Sequence, residues 1–234
     1  MKNQLKFIIL IFVFLVTVIL AIGIGSVFIP PVDTIKIISA KLFGIHFASA
    51  PVNIRLPRVL LCFIVGGMLS VSGVITQSVL RNPLASSYTL GISSGAAVGA
   101  SIAILFGFNF LGVLTLPFFG LSFGLITVFL AVVLAAKLDK NMSNITIILT
   151  GMAFSMFANA VIAFIMAFAN ETAQQITFWQ FGSFALKDWT HPLVLFPIML
   201  VGITLVLFFS KEMDLMTFGE EQAKASGVDV LKVK

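Results

Sequence analysis

Charged residues are scarce in this chain. Only 10% of its 234 residues are Asp, Glu, Lys or Arg, whereas soluble domains average about 25%. Hydrophobic residues make up 59% of the chain, and 25 phenylalanines stand against one tyrosine. This composition excludes an ordinary soluble domain and indicates an integral membrane protein. The net charge of +5 then reports topology and contact with lipid head groups rather than nucleic-acid binding.

Residues and motifs for disulfide formation, nucleotide binding or ion coupling are also scarce. The single cysteine, Cys62, excludes an internal disulfide. No G-x-x-x-x-G-K-[ST] string occurs, which excludes ATP binding by a P-loop. No predicted span carries an acid, a base or a histidine in its middle, although proton- and sodium-coupled carriers usually need one. We therefore expect no catalytic residue, no metal and no cofactor.

Uncharged stretches divide the chain into membrane spans. A helix needs about 20 residues to cross the hydrocarbon, so the stretch 82–136 supplies two spans and four other stretches supply one each. The predicted spans are 7–28, 59–80, 91–107, 114–136, 145–168 and 192–210. The first is interpreted as a retained helix rather than a signal peptide. The predicted fold class is an all-α integral membrane protein, a polytopic bundle of six transmembrane helices.

The basic residues predict the orientation of these spans. Six spans place both termini on one side, and nine of the 14 Lys and Arg residues then fall on that side. By the positive-inside rule, both termini are predicted to be cytoplasmic. The outer loop 29–58 is unusually basic, and a short interfacial helix is predicted within it over 33–42, capped by Asp33.

The segment RNPLASSYTLGISSGAAVG, residues 81–99, contains a G-x-S-x-G string. A serine protease would need a histidine beside Ser93 or Ser94, but His46 and His191 both fall in segments predicted to lie on the opposite side of the membrane. This alternative is therefore remote. The proline of the segment, Pro83, is expected to stop the preceding helix.

Three glycines of this segment recur at four-residue spacing. Gly91, Gly95 and Gly99 share one face of a predicted helix. Small residues at this spacing let two helix backbones approach closely in lipid. The spacing therefore predicts a helix-packing surface.

A short helix outside the membrane is predicted over about 218–226. Thr217 and Glu220 have the spacing of a capping box, and Glu220 and Glu221 would lie in the first turn, where the helix dipole favours negative charge. Gly227 suits the position after the helix end. The pattern predicts an exposed helix on the inner side, and a simple connector is the alternative.

Several separate strings then resemble one family. They are RLPR at 55–58, GGMLSVSGVITQSVLRNPLASSYTLGISSGAAVGA at 66–100, LTGMAFS at 149–155, FWQFGSF at 178–184 and FGEEQAKASGVDV at 218–230. In this order they resemble the FecCD/BtuC-type permeases, the membrane subunits of bacterial ABC importers for iron–siderophores, haem and vitamin B12. The resemblance covers about residues 50–234.

The resemblance implies the N-terminal part of a type II ABC importer permease. Members of the family typically have ten helices, and this chain is similar to the first six. We expect one transmembrane permease domain over 1–234, with a coupling segment at about 211–234. The last four helices are expected to be missing by truncation of the sequence or to come from a second polypeptide.

The resemblance also assigns roles to residues. Arg55 and Arg58 would receive acidic residues of an extracytoplasmic substrate-binding protein, and anchoring to lipid phosphates is the alternative. The coupling segment would contact the cytoplasmic ABC ATPase through Gly219, Glu220, Ala223, Ser226 and Gly227.

The fifth predicted helix is the candidate wall of the translocation path. Its path residues would be Gly151, Ser155, Met156 and Asn159, with ordinary helix packing as the alternative. Trp179 is interpreted as an aromatic residue at the membrane interface, and a role in the outer gate is the alternative.

The expected function is that of a permease subunit, not an enzyme, which translocates an iron chelate (a siderophore) across the cytoplasmic membrane. Haem or cobalamin are alternative cargoes, and an ion-coupled secondary carrier is a remote alternative function. The expected partners are two ABC ATPase subunits, the binding protein, and a second copy or a paralogue of the chain that forms a dimer in the lipid membrane. No nucleic acid is expected.

Overall fold

A computed structural model of the protein describes residues 2–25, 28–42, 50–185 and 187–233. His46 lies outside these ranges. The α-helices, numbered α1 to α11 in chain order, are Lys2–Gly23, Pro31–Leu42, Ala50–Leu80, Ile92–Leu105, Thr115–Leu138, Asn144–Phe168, Ala173–Phe181, Thr190–Phe208, Ser210–Phe218, Glu220–Ala225 and Val230–Val233. Short 3₁₀ turns lie at Ser87–Leu90, Gly112–Leu114 and Asn170–Thr172.

The apolar helices confirm an all-helical, multi-pass membrane protein. Among the described residues, α1, α3, α5, α6 and α8 are long and apolar enough to cross a membrane. The remaining predicted span is α4, which is apolar but has only 14 residues. At 1.5 Å per residue it is about 21 Å long, shorter than the hydrocarbon core of about 30 Å. Protein must therefore surround the backbone that flanks α4, because lipid cannot satisfy free peptide groups.

Three helix boundaries differ from the prediction by five residues or more, and the first is the start of α1, at Lys2 rather than at residue 7. α3 begins at Ala50, well before residue 59, and α1 ends at Gly23 rather than at residue 28. The prediction for α3 was wrong because charged residues mark the edge of the hydrocarbon and not the end of a helix. Pro57, inside α3, is fully buried.

The helix predicted over 33–42 forms, but its cap is not Asp33. α2 begins at Pro31, and proline is favoured at this first position because the N–H it lacks would have no helical partner. The N–H of Thr34 donates to the carbonyl oxygen of Pro30 at 3.0 Å. Asp33 instead lies inside the first turn and makes an exposed ion pair with Lys36 at 3.8 Å.

The chain divides into two compact units. The first comprises Met1–Met68 and Phe184–Gly202, and the second comprises Leu69–Ser183 and Ile203–Lys234. In the first unit, Ile22 and Ile29 are buried against apolar side chains that include Leu56. The expectation of one permease domain over 1–234 stays a prediction.

The second unit is built around α4, which packs against both α5 and α6. The buried positions of α4 are small: Gly95, Ala97, Gly99, Ala100, Ser101 and Ala103. A second cluster joins Leu80, Ala85, Ala135, Met142 and Ile147 near the ends of α3, α5 and α6. In lipid the hydrophobic effect does not drive helices together, so they associate through close packing, and small residues allow their backbones to come into contact.

The turn after α3 forms where the sequence predicts it. α3 ends at Leu80, and Arg81 takes a left-handed conformation with φ +47°. The N–H of Asn82 donates to the carbonyl oxygen of Gln77 at 3.1 Å, and the Asn82 side chain accepts from the N–H of Leu84 at 2.9 Å. These bonds fix the end of the helix before Pro83.

Candidate functional site

The glycine face of α4 lies against neighbouring backbone. A β-carbon on Gly95 would lie 3.0 Å from the carbonyl oxygen of Phe123, and one on Gly99 would lie 2.8 Å from the β-carbon of Phe123. Gly91, with φ +80°, caps the start of α4, and a β-carbon there would lie 3.1 Å from the carbonyl oxygen of Gly151. The three glycines thus lie where α4 meets α5 and α6.

Two of the four candidate path residues face into the protein. A β-carbon on Gly151 would overlap the backbone of Thr89 and Leu90, so this glycine lets the 3₁₀ turn Ser87–Leu90 lie directly on α6. The hydroxyl of Ser155 donates to the carbonyl oxygen of Gly151 at 3.0 Å. Gly151 is buried and Ser155 is half-buried, and a role of these two residues in the path stays a prediction.

The other two candidates, Met156 and Asn159, are exposed on α6. Asn159 lines a cleft of about 520 Å³, which we call the membrane cleft. Its other polar or aromatic lining residues come from the 3₁₀ turn, α4 and α7: Tyr88, Ser93, Ser94, Trp179 and Gln180. Sequence reasoning missed Tyr88 and Gln180 as companions of Asn159, because only the fold brings these elements together.

The chemistry of the membrane cleft is neutral. Hydroxyl and amide groups can each donate and accept hydrogen bonds. Asn159 is in the middle of the apolar helix α6, where an exposed amide in contact with lipid would lose its hydrogen bonds to water. The cleft is therefore suited to water, to a polar cargo or to a protein partner, and not to lipid chains.

Trp179 is half-buried and takes part in packing. Its indole ring lies 3.5 Å from the position of a β-carbon on Gly120 of α5. The glycine leaves room for the ring, so α7 packs against α5 through this contact. Trp179 also lines the membrane cleft, and its interfacial role stays a prediction, with the gate as the alternative.

Arg55 is held within the first unit. Its guanidinium Nη1 donates to the carbonyl oxygen of Ile22 at 2.9 Å and of Gly23 at 3.3 Å. These are carbonyls at the C-terminal end of α1, which carry no intrahelical partner and attract a cation. Arg55 therefore caps α1, a role that the sequence did not reveal because the two residues lie far apart in the chain.

Arg58, one turn along α3, has a different environment. It is half-buried, and its Nε is buried without a hydrogen-bond partner among the described residues. An unsatisfied buried donor costs free energy until a partner supplies an acceptor. Because this Nε is enclosed by the chain itself, it does not mark a partner site, and docking of an external carboxylate on Arg58 stays a prediction.

The helices α9, α10 and α11 form what we call the C-terminal module. Its core is Met216, Ala223 and Val230, one residue from each helix, all buried. Gly219 joins α9 to α10 with φ +133°, and Gly227 follows α10 with φ +88°. Both conformations strongly favour glycine. Ala223 packs inside the module, so it is not part of the surface that a partner could contact, and that expectation is corrected.

The capping box predicted for α10 is wrong. Thr217 is still inside α9, and its hydroxyl donates to the carbonyl oxygen of Asp214 at 2.7 Å. The N-cap of α10 is Gly219, which has no side chain to accept a bond. Glu220 and Glu221 do occupy the first turn, and Gly227 does follow the helix end, as predicted.

Glu220 lines a second cleft, of about 510 Å³, which we call the α10 cleft. Arg81, Asn82 and Asn144 also line it. The Nδ2 of Asn144, the first residue of α6, donates to the carbonyl oxygen of Leu80 at 2.9 Å. This cleft therefore brings the first turn of α10 to the place where α3 ends and α6 begins.

The turn between α5 and α6 is organised by Asp139. Its carboxylate accepts the N–H of Asn141 and the N–H of Ser143, both at 2.9 Å, and the hydroxyl of Thr146 at 3.2 Å. Hydrogen bonds from Ser143, and then from Asn141, lower the pKa of the Asp139 carboxyl from 3.8 to about 2. The signal in the sequence was an Asp four residues before a Ser that precedes a helix.

Asp139→Asn is expected to lower the thermal midpoint of the detergent-solubilised protein at neutral pH. The amide has one acceptor oxygen instead of two and places an NH2 group towards a donor. Because the folded pKa is depressed, the carboxylate stabilises the fold above pH 3.8, and this contribution is lost as the pH falls to about 2. The difference between variant and wild type should therefore shrink over that interval.

The matched control is Asp214→Asn, at an exposed position in α9. It should have the same midpoint as the wild type at each pH. A constant difference between Asp139→Asn and the wild type across the interval would contradict the assigned role of the carboxylate.

Comparison with known proteins identifies the family. The family model described as the FecCD transport family matches residues 12–234. An uncharacterized ABC transporter permease protein of Bacillus subtilis, YvrB, is 35% identical over 94% of this chain and 65% of its own length. The molybdate import system permease protein MolB of Haemophilus influenzae is 32% identical over 94% of this chain and 66% of its own length.

A solved structure has the same architecture. It is an inward-facing conformation of an ABC transporter described as of metal-chelate type, with a TM-score of 0.74 and 29% identity. The match covers 94% of this chain and 66% of the solved one, so the chain spans about two thirds of the length of these relatives. Other relatives are named as permeases for cobalamin, iron(3+)-hydroxamate and Fe(3+) dicitrate.

The family model and the two permease relatives extend over nearly the whole chain, from the first span to the C-terminal module. The chain therefore belongs to the FecCD transport family.

Proposed function

We propose that this chain is the permease subunit of an ABC importer that carries an iron chelate across the cytoplasmic membrane. The carrying observation is the family match over residues 12–234, which includes both α6 and the C-terminal module. In this proposal two ABC ATPases bind the module in the cytoplasm, with both termini of the chain on that side. A binding protein delivers the chelate from outside, and a second copy or a paralogue completes a dimer.

In the proposed mechanism the ATPases bind ATP and the permease provides the path. ATP binding draws the two ATPases together, and the modules move with them. The movement changes the side to which the path opens, and no covalent bond forms or breaks in the permease. The surfaces offered to the ATPase are Gly219, Glu220, Ser226 and Gly227.

The membrane cleft is the proposed section of the path. Asn159 lines it from α6 and Ser94 lines it from α4, and Met156 is exposed on α6 three residues before Asn159. A path without fixed charge binds its cargo weakly, which suits an importer whose external protein provides the affinity. Helices α4, α5 and α6 carry a single charged residue, Lys137 in the last turn of α5.

The cargo class is inferred from the relatives. Their names include iron(3+)-hydroxamate, Fe(3+) dicitrate, cobalamin and molybdate. Iron chelates recur among them, and we propose an iron–siderophore as the cargo, with cobalamin or haem as alternatives. Relatives that are named for different cargoes belong to this one family, so we propose that the binding protein discriminates between the cargoes.

The decisive experiment uses the full-length gene product. Co-purified ATPase and binding protein, and energy-dependent uptake of a radioactive iron chelate by cells, are the expected results. Uptake that survives deletion of the ATPase gene and follows a proton or sodium gradient would overturn the proposal. So would ATP hydrolysis by the purified permease alone.

Arg58→Gln is expected to weaken binding of the external protein at least about thirtyfold. An arginine makes charge-assisted, oriented bonds to a carboxylate, and loss of one such bond at an interface costs about 2 kcal/mol or more. Binding would be measured on the permease–ATPase complex in nanodiscs.

The control for Arg58→Gln is Lys36→Gln, at an exposed position of α2 in the same unit. It should leave the affinity unchanged. Equal affinity for the wild type and Arg58→Gln would remove Arg58 from the docking surface.

A further inference from the structure

We infer that Arg81 and Glu220 form a charge pair across the α10 cleft, through which movement of the C-terminal module reaches α3 and α6. The inference rests on the proposed function, because it names the residues by which an ATPase would act on the path. Arg81 is a positioning residue in this scheme. It touches neither cargo nor nucleotide.

The backbone of Arg81 is fixed to the end of α3. Its φ of +47° is a left-handed conformation, which costs a non-glycine residue free energy. The N–H of Arg81 donates to the carbonyl oxygen of Ser78 at 3.3 Å, and the bond from Asn82 to Gln77 closes the same turn. A displacement of the Arg81 guanidinium would therefore also displace the last turn of α3.

The Arg81 side chain lies beside the module on two sides. It lines the α10 cleft together with Glu220, and it also lines a neighbouring cleft of about 390 Å³ together with Thr217. Its Nη2 lies 4.0 Å from the position of a β-carbon on Gly219. One guanidinium thus borders the last turn of α9, the glycine joint and the first turn of α10.

The three helices of the C-terminal module are expected to move together. Met216, Ala223 and Val230 join its three helices in one buried cluster. Glu220 follows the glycine joint directly, so it travels with this cluster. Displacement of the module by a partner would therefore carry the Glu220 carboxylate towards or away from Arg81.

The last step leads from α3 to α6. Leu80 precedes Arg81, and its carbonyl oxygen accepts the Nδ2 of Asn144 at 2.9 Å. Asn144 is the first residue of α6, the helix that carries Asn159 of the membrane cleft. A shift of Arg81 is thus passed by one hydrogen bond to the helix of the proposed path.

Electrostatics favours two discrete positions of this element. Opposite charges attract more strongly when the cleft between them closes and water leaves, because the local dielectric constant falls. An open cleft with the two charges apart and a closed cleft with the two charges paired are then two separate states. A two-state element of this kind is what physical coupling between distant sites requires.

The first test is Arg81→Gln in the complete importer, reconstituted in proteoliposomes. The ATPase should still co-purify and hydrolyse ATP, because the exposed face of α10 is unchanged. Chelate uptake per ATP hydrolysed should fall about tenfold, within the usual range of coupling between sites. Uptake per ATP equal to that of the wild type would overturn the inference.

The second test is a charge exchange, Arg81→Glu combined with Glu220→Arg. Each single reversal should lose uptake. The double variant again places opposite charges on the two sides of the cleft, so it should regain part of the ATPase association that Glu220→Arg loses, and part of the uptake. If the double variant transports no better than Glu220→Arg alone, Glu220 acts only by docking on the ATPase and the inference is wrong. If the wild-type chain itself does not co-purify with the ATPase, the proposed function is refuted instead.

Discussion

Glu220→Arg is expected to abolish association with the ATPase and, with it, uptake of the cargo. Two physical effects act in the same direction. The substitution places a cation in the first turn of α10, where the helix dipole favours an anion. It also places two positive charges around the α10 cleft, which Arg81 lines. In the proposed importer, the module would then no longer present the surface that the ATPase binds.

The matched control for this variant is Glu221→Arg. Residue 221 lies in the same helical turn and undergoes the same change of charge, but it is exposed and does not line the α10 cleft. Its complex with the ATPase should survive purification in detergent. Wild-type yields of complex from Glu220→Arg, or equal losses from both variants, would contradict a specific role for Glu220.

The membrane spans could be predicted because the hydrocarbon imposes a strong one-dimensional rule. Charge is excluded over the length of a span, so the uncharged stretches locate α1, α3, α5, α6 and α8. The same rule does not predict where a helix begins or ends, because a helix can continue beyond the hydrocarbon into the membrane–water interface. This explains why α3 starts at Ala50, with Arg55 and Arg58 inside it.

The local turns were predicted only where one residue determines the backbone. Pro83 and Asn82 end α3, and Gly227 ends α10, because few residues tolerate those conformations. The capping box failed because Thr217 satisfies its hydroxyl inside α9. A four-residue pattern contains no information about which helix its first residue joins.

The environments of candidate site residues depend on distant parts of the chain. Arg55 binds carbonyl oxygens 32 and 33 residues earlier, and Asn144 binds one 64 residues earlier. Helical spacing alone placed Gly151 and Asn159 on one side of α6. The 3₁₀ turn Ser87–Leu90 covers Gly151 and leaves Asn159 open, and only the tertiary fold determines that difference.

Gly99→Leu is expected to prevent formation of the second unit. Even a methyl group at Gly99 would overlap the carbonyl oxygen of Phe119 and lie 2.8 Å from the β-carbon of Phe123. A carbonyl of α5 is part of the helix and cannot turn aside, so α4 and α5 must separate. Overpacking in a well-packed core costs about 1–3 kcal/mol, and separation of two helices adds the lost contacts along their length.

The graded variant Gly99→Ala distinguishes this steric effect from a general intolerance of larger residues. It should fold with a lower thermal midpoint, whereas Gly99→Leu should aggregate on size-exclusion chromatography. At Gly73 in α3, a β-carbon would meet no atom within 4 Å. Gly73→Ala and Gly73→Leu should therefore elute as the wild type does. A monodisperse Gly99→Leu protein with the wild-type midpoint would mean that α4 and α5 do not pack through this glycine.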